Sequence, residues 1–269
     1  MSRPEPMDGT AQLIAAGVLK RVERDGISDF VAVEEPLEIR VAGEPIAVAM
    51  RTPGHDEELS AGFLYGEGLI DTAPDLGLTD DLAANTIEVR SRLTRQPRTR
   101  HFYTTSSCGV CGKGALEEVA VNARTLPPGP YVPRRVIAGL PGALRQPGFA
   151  ITGGLHATGL FTPDGELVCV REDVGRHNAM DKVIGWALFA GRVPLRGSIL
   201  CVSGRLSFEL VQKAAVAEAA VLVGVGAPTS LAVELAGAQG MTLCGFARNG
   251  AVNVYTHHDR VEPQGEPTS

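Results

Sequence analysis

The stretch TTSSCGVCGKGAL, residues 104–116, sets Cys108 and Cys111 three positions apart among Gly109, Gly112 and Gly114, with Lys113 beside them. A pair so spaced can hold a metal, cycle as a disulfide, carry sulfur, or sit in a core. Structural zinc draws on four ligands; here one pair stands alone, and His55, His101, His156 and His177 are scattered through the chain. A zinc deaminase needs a His-x-Glu element and a Pro-Cys-x-x-Cys element. His156 is followed by Ala157 and Thr158, and Cys108 is preceded by Ser107, so that signature is absent. A permanently bound metal is therefore not expected, although zinc held by the pair stays as a minor alternative. A thioredoxin-like pair opens a helix, yet each interior glycine costs a helix about 1 kcal/mol. The composition points to a pliable loop that lets a sulfur visit more than one partner.

The reactive form of cysteine is the thiolate, which neighbouring cations favour. No Asp or Glu falls between Val89 and Leu116, whereas Arg90, Arg92, Arg95, Arg98, Arg100 and Lys113 all do. Such a thiolate can attack a donor's persulfide and hold the outer sulfur reversibly. On these residues alone, sulfur carriage and thiol redox chemistry are both open. Cys169, Cys201 and Cys244 lie singly in apolar runs and read as buried small hydrophobes.

A second group of candidates suits an anionic ligand. SGRLSFE (203–209) places Arg205 and Ser207 at a strand-to-helix junction, and APTSLAVE opens another helix at Pro228–Ser230. Helix N-termini receive anions through free N–H groups and the helix dipole; ordinary helix capping explains the same residues. REDVGRHNAMDK (171–182) crowds charged and polar groups around His177, a weaker candidate that also reads as structural. The same holds for His156 after two glycines. His55 reads as part of a helix cap.

The elements that must position these groups follow from periodicity. Residues 30–54 alternate apolar and polar around Gly43-Glu44 and read as a hairpin. A helix is expected from near Asp56, where acidic residues gather in the first turn, and NTIEVRSRL reads as a strand. GALEEVAVNAR behind the cysteines reads as a helix, and the proline-rich TLPPGPYVPRRV as a loop or hinge. From residue 147 onward, strands and helices alternate, with Asn178 as the expected cap of one helix. This pattern argues for an α/β fold with a partly parallel sheet. The first twenty-five residues read as frayed or weakly helical. The expected divisions are a variable segment 1–29, a β-rich part 30–125 with the cysteine loop, and an α/β part 126–269.

The 269 residues are 44% hydrophobic and 21% charged, which suits an ordinary globular chain rather than a disordered one. A net charge of −6 gives no general attraction for nucleic acid. The apolar runs are about half the length of a membrane span. No secretory pattern opens the chain, so a cytoplasmic location is the expectation.

Six strings in fixed order, RTPGHDEELSAGFLYGEGLI, SSCGVCGKG, ITGGLHATGLF, REDVGRHNAMDKVIGWAL, SGRLSFELVQKAA and APTSLAVELA, resemble the FdhD family of formate dehydrogenase accessory sulfurtransferases, over roughly residues 30–257. The resemblance implies a sulfur carrier that accepts persulfide sulfur from a cysteine desulfurase. It implies delivery to the molybdenum bis(pterin guanine dinucleotide) cofactor, the bound substrate, for apo-formate dehydrogenase. The sulfur-bearing residue would be Cys108, with Cys111 auxiliary. The guanine-nucleotide end would lie on Phe246, Ala247, Arg248, Asn249, Gly250 and Ala251, with Arg205, Ser207 and His177 as further contacts. It also implies a homodimer and a cytidine deaminase-like three-layer sandwich with a smaller strand-rich N-terminal subdomain. A non-enzymatic, cofactor-binding chaperone is the alternative from a different class.

Overall fold

A computed structural model describes residues 9–77, 85–95, 102–104 (backbone) and 125–263. The chain opens with a short helix, α1 (Gly9–Ala15), and an antiparallel hairpin of β1 (Leu19–Arg24) and β2 (Ile27–Ala32). The short helix agrees with the expected weakly helical start, whereas the hairpin was not expected. Its strands are mostly exposed on both faces, so they lack the alternation by which a half-buried strand announces itself.

A five-stranded sheet follows, in the order β5-β6-β3-β4-β7. Its centre is the expected hairpin, β3 (Glu35–Val41) and β4 (Glu44–Arg51). β6 (Thr86–Val89) adds in parallel to β3, β7 (Phe102–Thr104) in parallel to β4, and β5 (Leu76–Gly77) closes one edge. Helix α2 (Asp56–Gly66) begins where its acidic first turn of Asp56, Glu57 and Glu58 places it. Leu59 and Leu64 face Leu37, Ile39, Ile87 and Val89 of the sheet.

The second sheet has six strands in the order β13-β12-β11-β10-β8-β9. β10 (Ile199–Val202), β11 (Val221–Gly224) and β12 (Thr242–Arg248) run parallel. β8 (His156–Phe161), β9 (Leu167–Asp173) and β13 (Ala251–Val254) are antiparallel to their neighbours. Alternation along β10 builds two cores: Ile199 and Cys201 pack in the cluster that holds Ile137 and Leu140 of α3 (Arg134–Ala143). Leu200 and Val202 pack with α5 (Arg176–Phe189), α6 (Phe208–Val216) and α7 (Ser230–Gln239). Helices thus cover both faces of this sheet, giving three layers. The small helix α4 (Pro147–Thr152) precedes β8.

α2 and α5 cross in intimate contact and bring the two sheets' packing together. The N-terminus of α5 is also tied to β4 through a buried polar network. Lys182 Nζ lies 2.7 Å from Asp173 Oδ2 and donates to the carbonyl of Thr52 at 2.8 Å. Asp173 accepts from the backbone N–H of Thr52 and Gly175, and Asn178 donates to Asp173 and to the carbonyl of Met50. Asn178 is therefore not the helix cap; Gly175 occupies that position, and Asn178 bridges the two sheets from the first turn. The predicted helix GALEEVAVNAR and both residues of the Cys-x-x-Cys pair lie outside the described residues. Among the described residues no helix is long and apolar enough to cross a membrane.

Candidate functional site

Because β10, β11 and β12 are parallel, their carboxyl ends share one edge of the sheet, where ligands of open α/β sheets bind. β8 runs the other way, so its first residue, His156, stands at the same edge. The chain leaving β10 passes Ser203, Gly204 and Arg205 before entering α6, whose N-cap is Ser207. α5 starts at Arg176 and presents His177 to the same place. His177 Nε2 lies 2.8 Å from Glu209 Oε2 and 3.2 Å from Ser207 Oγ. A carboxylate only accepts, so Nε2 carries the proton. The hydrogen bond from His177 outweighs burial and holds the Glu209 carboxyl below its ordinary value.

Arg205, Ser207 and His177, expected together, are brought together. Their neighbours Arg176 and Glu209 were not singled out as site residues; a helix N-terminus facing a second helix N-terminus leaves no mark in a linear pattern. His156 is half-buried, and burial followed by the charges of Arg176, His177 and Arg205 pushes its pKa down. Asp173 acts in the opposite sense. Neither Arg176 nor Arg205 forms an ion pair among the described residues.

The second part of the edge is the turn between β12 and β13. A bulge separates Gly245 from Arg248, and Phe246 and Asn249 adopt left-handed backbone at φ 53° and 52°. Non-glycine residues held so are strained, and such strain gathers at ligand sites. Phe246, Arg248, Asn249, Ala251 and Asn253 line a pocket of about 400 Å³, with the Arg248 guanidinium 6.0 Å from the centre of the Phe246 ring. An aromatic face, an amide and a guanidinium suit a planar base and its phosphates. Ala247 is wholly buried in the core beneath, so it supports the turn rather than touching a ligand. Gly250 (φ 77°) makes the tight tip.

The two parts are joined through Gly226. Its N–H donates to the carbonyl of Gly204, and its carbonyl accepts from the N–H of Phe246. A Cβ on Gly226 would lie 3.0 Å from backbone atoms of Gly204 and Arg205, so glycine permits this approach.

The chain shares this architecture with known proteins. The FdhD/NarQ family profile matches residues 32–262. This chain belongs to the FdhD/NarQ family. It is 50% identical over 263 residues to the sulfur carrier protein FdhD of Nocardia farcinica, covering 93% of this chain and 92% of that one. The protein of the same name in Saccharolobus solfataricus is 47% identical over 239 residues, covering 87% and 91%. A crystal structure from Desulfotalea psychrophila, assigned as a formate dehydrogenase accessory protein, superposes with a TM-score of 0.69 at 27% identity, covering 91% of this chain and 97% of that one.

As FdhD/NarQ chemistry would centre on sulfur, the cysteines matter. Cys169, Cys201 and Cys244 are buried free thiols. Burial pushes Cys169 up to about 11 and Cys244 to about 12, and raises Cys201 as well. None of the three is a ready nucleophile. Among the described residues, no three His, Cys, Asp or Glu side chains converge as a metal site.

Proposed function

We propose that this chain is a sulfur carrier and sulfurtransferase that acts in the cytoplasm for formate dehydrogenase, with Cys108 as the sulfur-bearing residue. Its kinship over most of its length with proteins named sulfur carriers is the observation that carries this reading. The Cys108 thiolate attacks the outer sulfur of a cysteine desulfurase persulfide. A new S–S bond forms, the donor's S–S bond breaks, and the desulfurase cysteine leaves as thiolate. The Cys111 thiolate then attacks the inner sulfur on Cys108, closing a Cys108–Cys111 disulfide and releasing the outer sulfur as sulfide. That sulfide becomes a ligand of the metal in the molybdenum bis(pterin guanine dinucleotide) substrate destined for the apo-dehydrogenase. A dithiol reductant returns the pair to thiols.

Two features support the route. The three described cysteines are buried and deactivated, which leaves the glycine-flanked pair for chemistry. Thr104, four residues before Cys108, pairs with Ala49, and the next residue, Met50, receives the hydrogen bond from Asn178. Four residues of chain reach at most about 14 Å, a short tether from a point adjoining the N-terminus of α5. The guanine-nucleotide end fits the Phe246–Ala251 turn, and its phosphates fit the cationic edge with Arg205, Ser207 and His177.

Intact mass after incubation with a cysteine desulfurase and cysteine tests the reading. The protein gains one sulfur atom, and Cys108→Ala gains none. A Cys108→Ala protein that still restores full formate dehydrogenase activity in a deletion strain overturns sulfur carriage in favour of a cofactor-binding chaperone. The same reading includes a homodimer, which light scattering tests.

A further inference from the structure

We propose that His156, Arg176 and Arg205, with the N-termini of α5 and α6, form a phosphate subsite whose occupation is coupled to proton uptake by His156. The source of the phosphate rests on the cofactor reading above; the subsite itself rests on charge and geometry.

The cluster holds more positive charge than its surroundings neutralise. Four groups face His156: Asp173 from β9, its cross-strand partner; Arg176 and His177 from α5; and Arg205 from the loop after β10. The one carboxylate among them is already committed to Lys182, Asn178 and two backbone N–H groups. His177 is committed to Glu209. Neither guanidinium forms an ion pair among the described residues: Glu209, within electrostatic reach of Arg176, is bonded to His177, and Arg176 Nε is buried without any hydrogen bond. Two guanidiniums without an ion pair, beside the N-termini of two helices, form a site for an anion of two or more charges.

Gly204 keeps the approach clear. A Cβ there would stand 3.5 Å from His156 Nδ1 and 3.9 Å from Arg176 Cδ, so the bare backbone leaves the imidazole open on that side. Without an anion, burial and the nearby cations disfavour the charged form of His156. A bound phosphate reverses the sign of the local field, which favours imidazolium. By linkage, the ligand then binds more tightly as pH falls, and the proton is released when the ligand leaves.

Sulfate is the probe, because it carries two charges throughout the range in which histidine titrates, so any proton taken up belongs to the protein. Calorimetric titration of the full-length chain from about pH 8 to about pH 6 should show binding tighten at least about threefold. His156→Gln should bind with a flat pH profile. Arg205 is exposed, so Arg205→Gln leaves folding intact and should weaken sulfate at least about tenfold at every pH. A pH-independent wild type, a linkage unchanged in His156→Gln, or unaltered binding by Arg205→Gln would each overturn the proposal. GDP should displace sulfate; GDP that binds and leaves sulfate in place overturns assignment of the subsite to a nucleotide's phosphates. A protein that gains sulfur yet binds no sulfate overturns this subsite alone. One that binds sulfate and never gains sulfur overturns the carrier reading alone.

Discussion

Gly185 lies against the backbone of Glu58: a Cβ at residue 185 would stand 1.8 Å from the Glu58 carbonyl oxygen. The relation is reciprocal across the helix pair, since a Cβ at Gly62 would stand 1.9 Å from the carbonyl oxygen of Asp181. Two helices approach this closely only where both lack side chains at the crossing.

Gly185→Ala and Gly62→Ala should each destabilise the fold by about 3 kcal/mol or more, because backbone rather than a flexible side chain must give way. Gly139, on α3, has nothing within 4 Å of the added methyl. Gly139→Ala should instead be neutral or stabilise by up to about 1 kcal/mol through helix propensity. Urea midpoints for the three variants check the contrast; equal shifts would contradict the packing.

Arg171 forks onto Glu58, with Nη2 2.7 Å from Oε1 and Nε 2.5 Å from Oε2. Burial acts to raise the Glu58 pKa, but hydrogen bonds and charge from Arg171 and His55 win and bring it to about 2. A depressed carboxyl stabilises the fold above its ordinary value of 4.5 and loses that contribution as pH falls from there toward 2. Arg171→Met should cost about 2 kcal/mol at neutral pH and flatten the acid limb of the stability curve in that window. Denaturation across this range measures both.

In the folded protein, Cys169, Cys201 and Cys244 should resist alkylation, because their thiols are buried and raised. Rapid labelling by iodoacetamide should map by peptide mass to residues 108 and 111. Denaturant should expose all five cysteines. Labelling of Cys201 at the rate of the pair would contradict the core described here.

Arg248→Ala should weaken GDP binding about tenfold by removing both a phosphate partner and the cation beside Phe246. Sulfur loading from a desulfurase should be unchanged, since the turn lies in a different part of the chain from Cys108. Calorimetry and intact mass on the same sample separate the two. Loss of both activities together would show that the turn is structural.

Much of this was legible in linear form. Periodicity located the β3–β4 hairpin, acidic residues located the start of α2, and the apolar alternation after residue 147 gave the parallel strands. Arg205 and Ser207 could be placed at one strand-to-helix junction, and His177 drew notice through the charged run around it; the structure sets all three at one edge of the sheet. The β1–β2 hairpin was not, since both its faces meet solvent. The stretch read as a loop or hinge ran into the first residues of α3, Arg134–Val136, and Gly139, Pro141 and Gly142 further disguise this helix, which its buried Ile137 and Leu140 hold in place. The function of Asn178 escaped because its partners, Met50 and Asp173, come from other strands. Arg176 and Glu209 became site residues only through the meeting of two helix ends.

The clamp of Asp173, Asn178 and Lys182 on Met50 and Thr52 has a thermodynamic consequence. Opening the sheets away from each other would leave the Asp173–Lys182 pair intact but strip it of its bonds to the N–H and carbonyl of Thr52, and Asn178 of its bond to Met50, at about 1–3 kcal/mol for each buried polar group left unsatisfied. Partial melting is thereby disfavoured, and the molecule should unfold cooperatively. A calorimetric scan should give one endotherm whose measured and van't Hoff enthalpies agree, and Lys182→Met should split it into two.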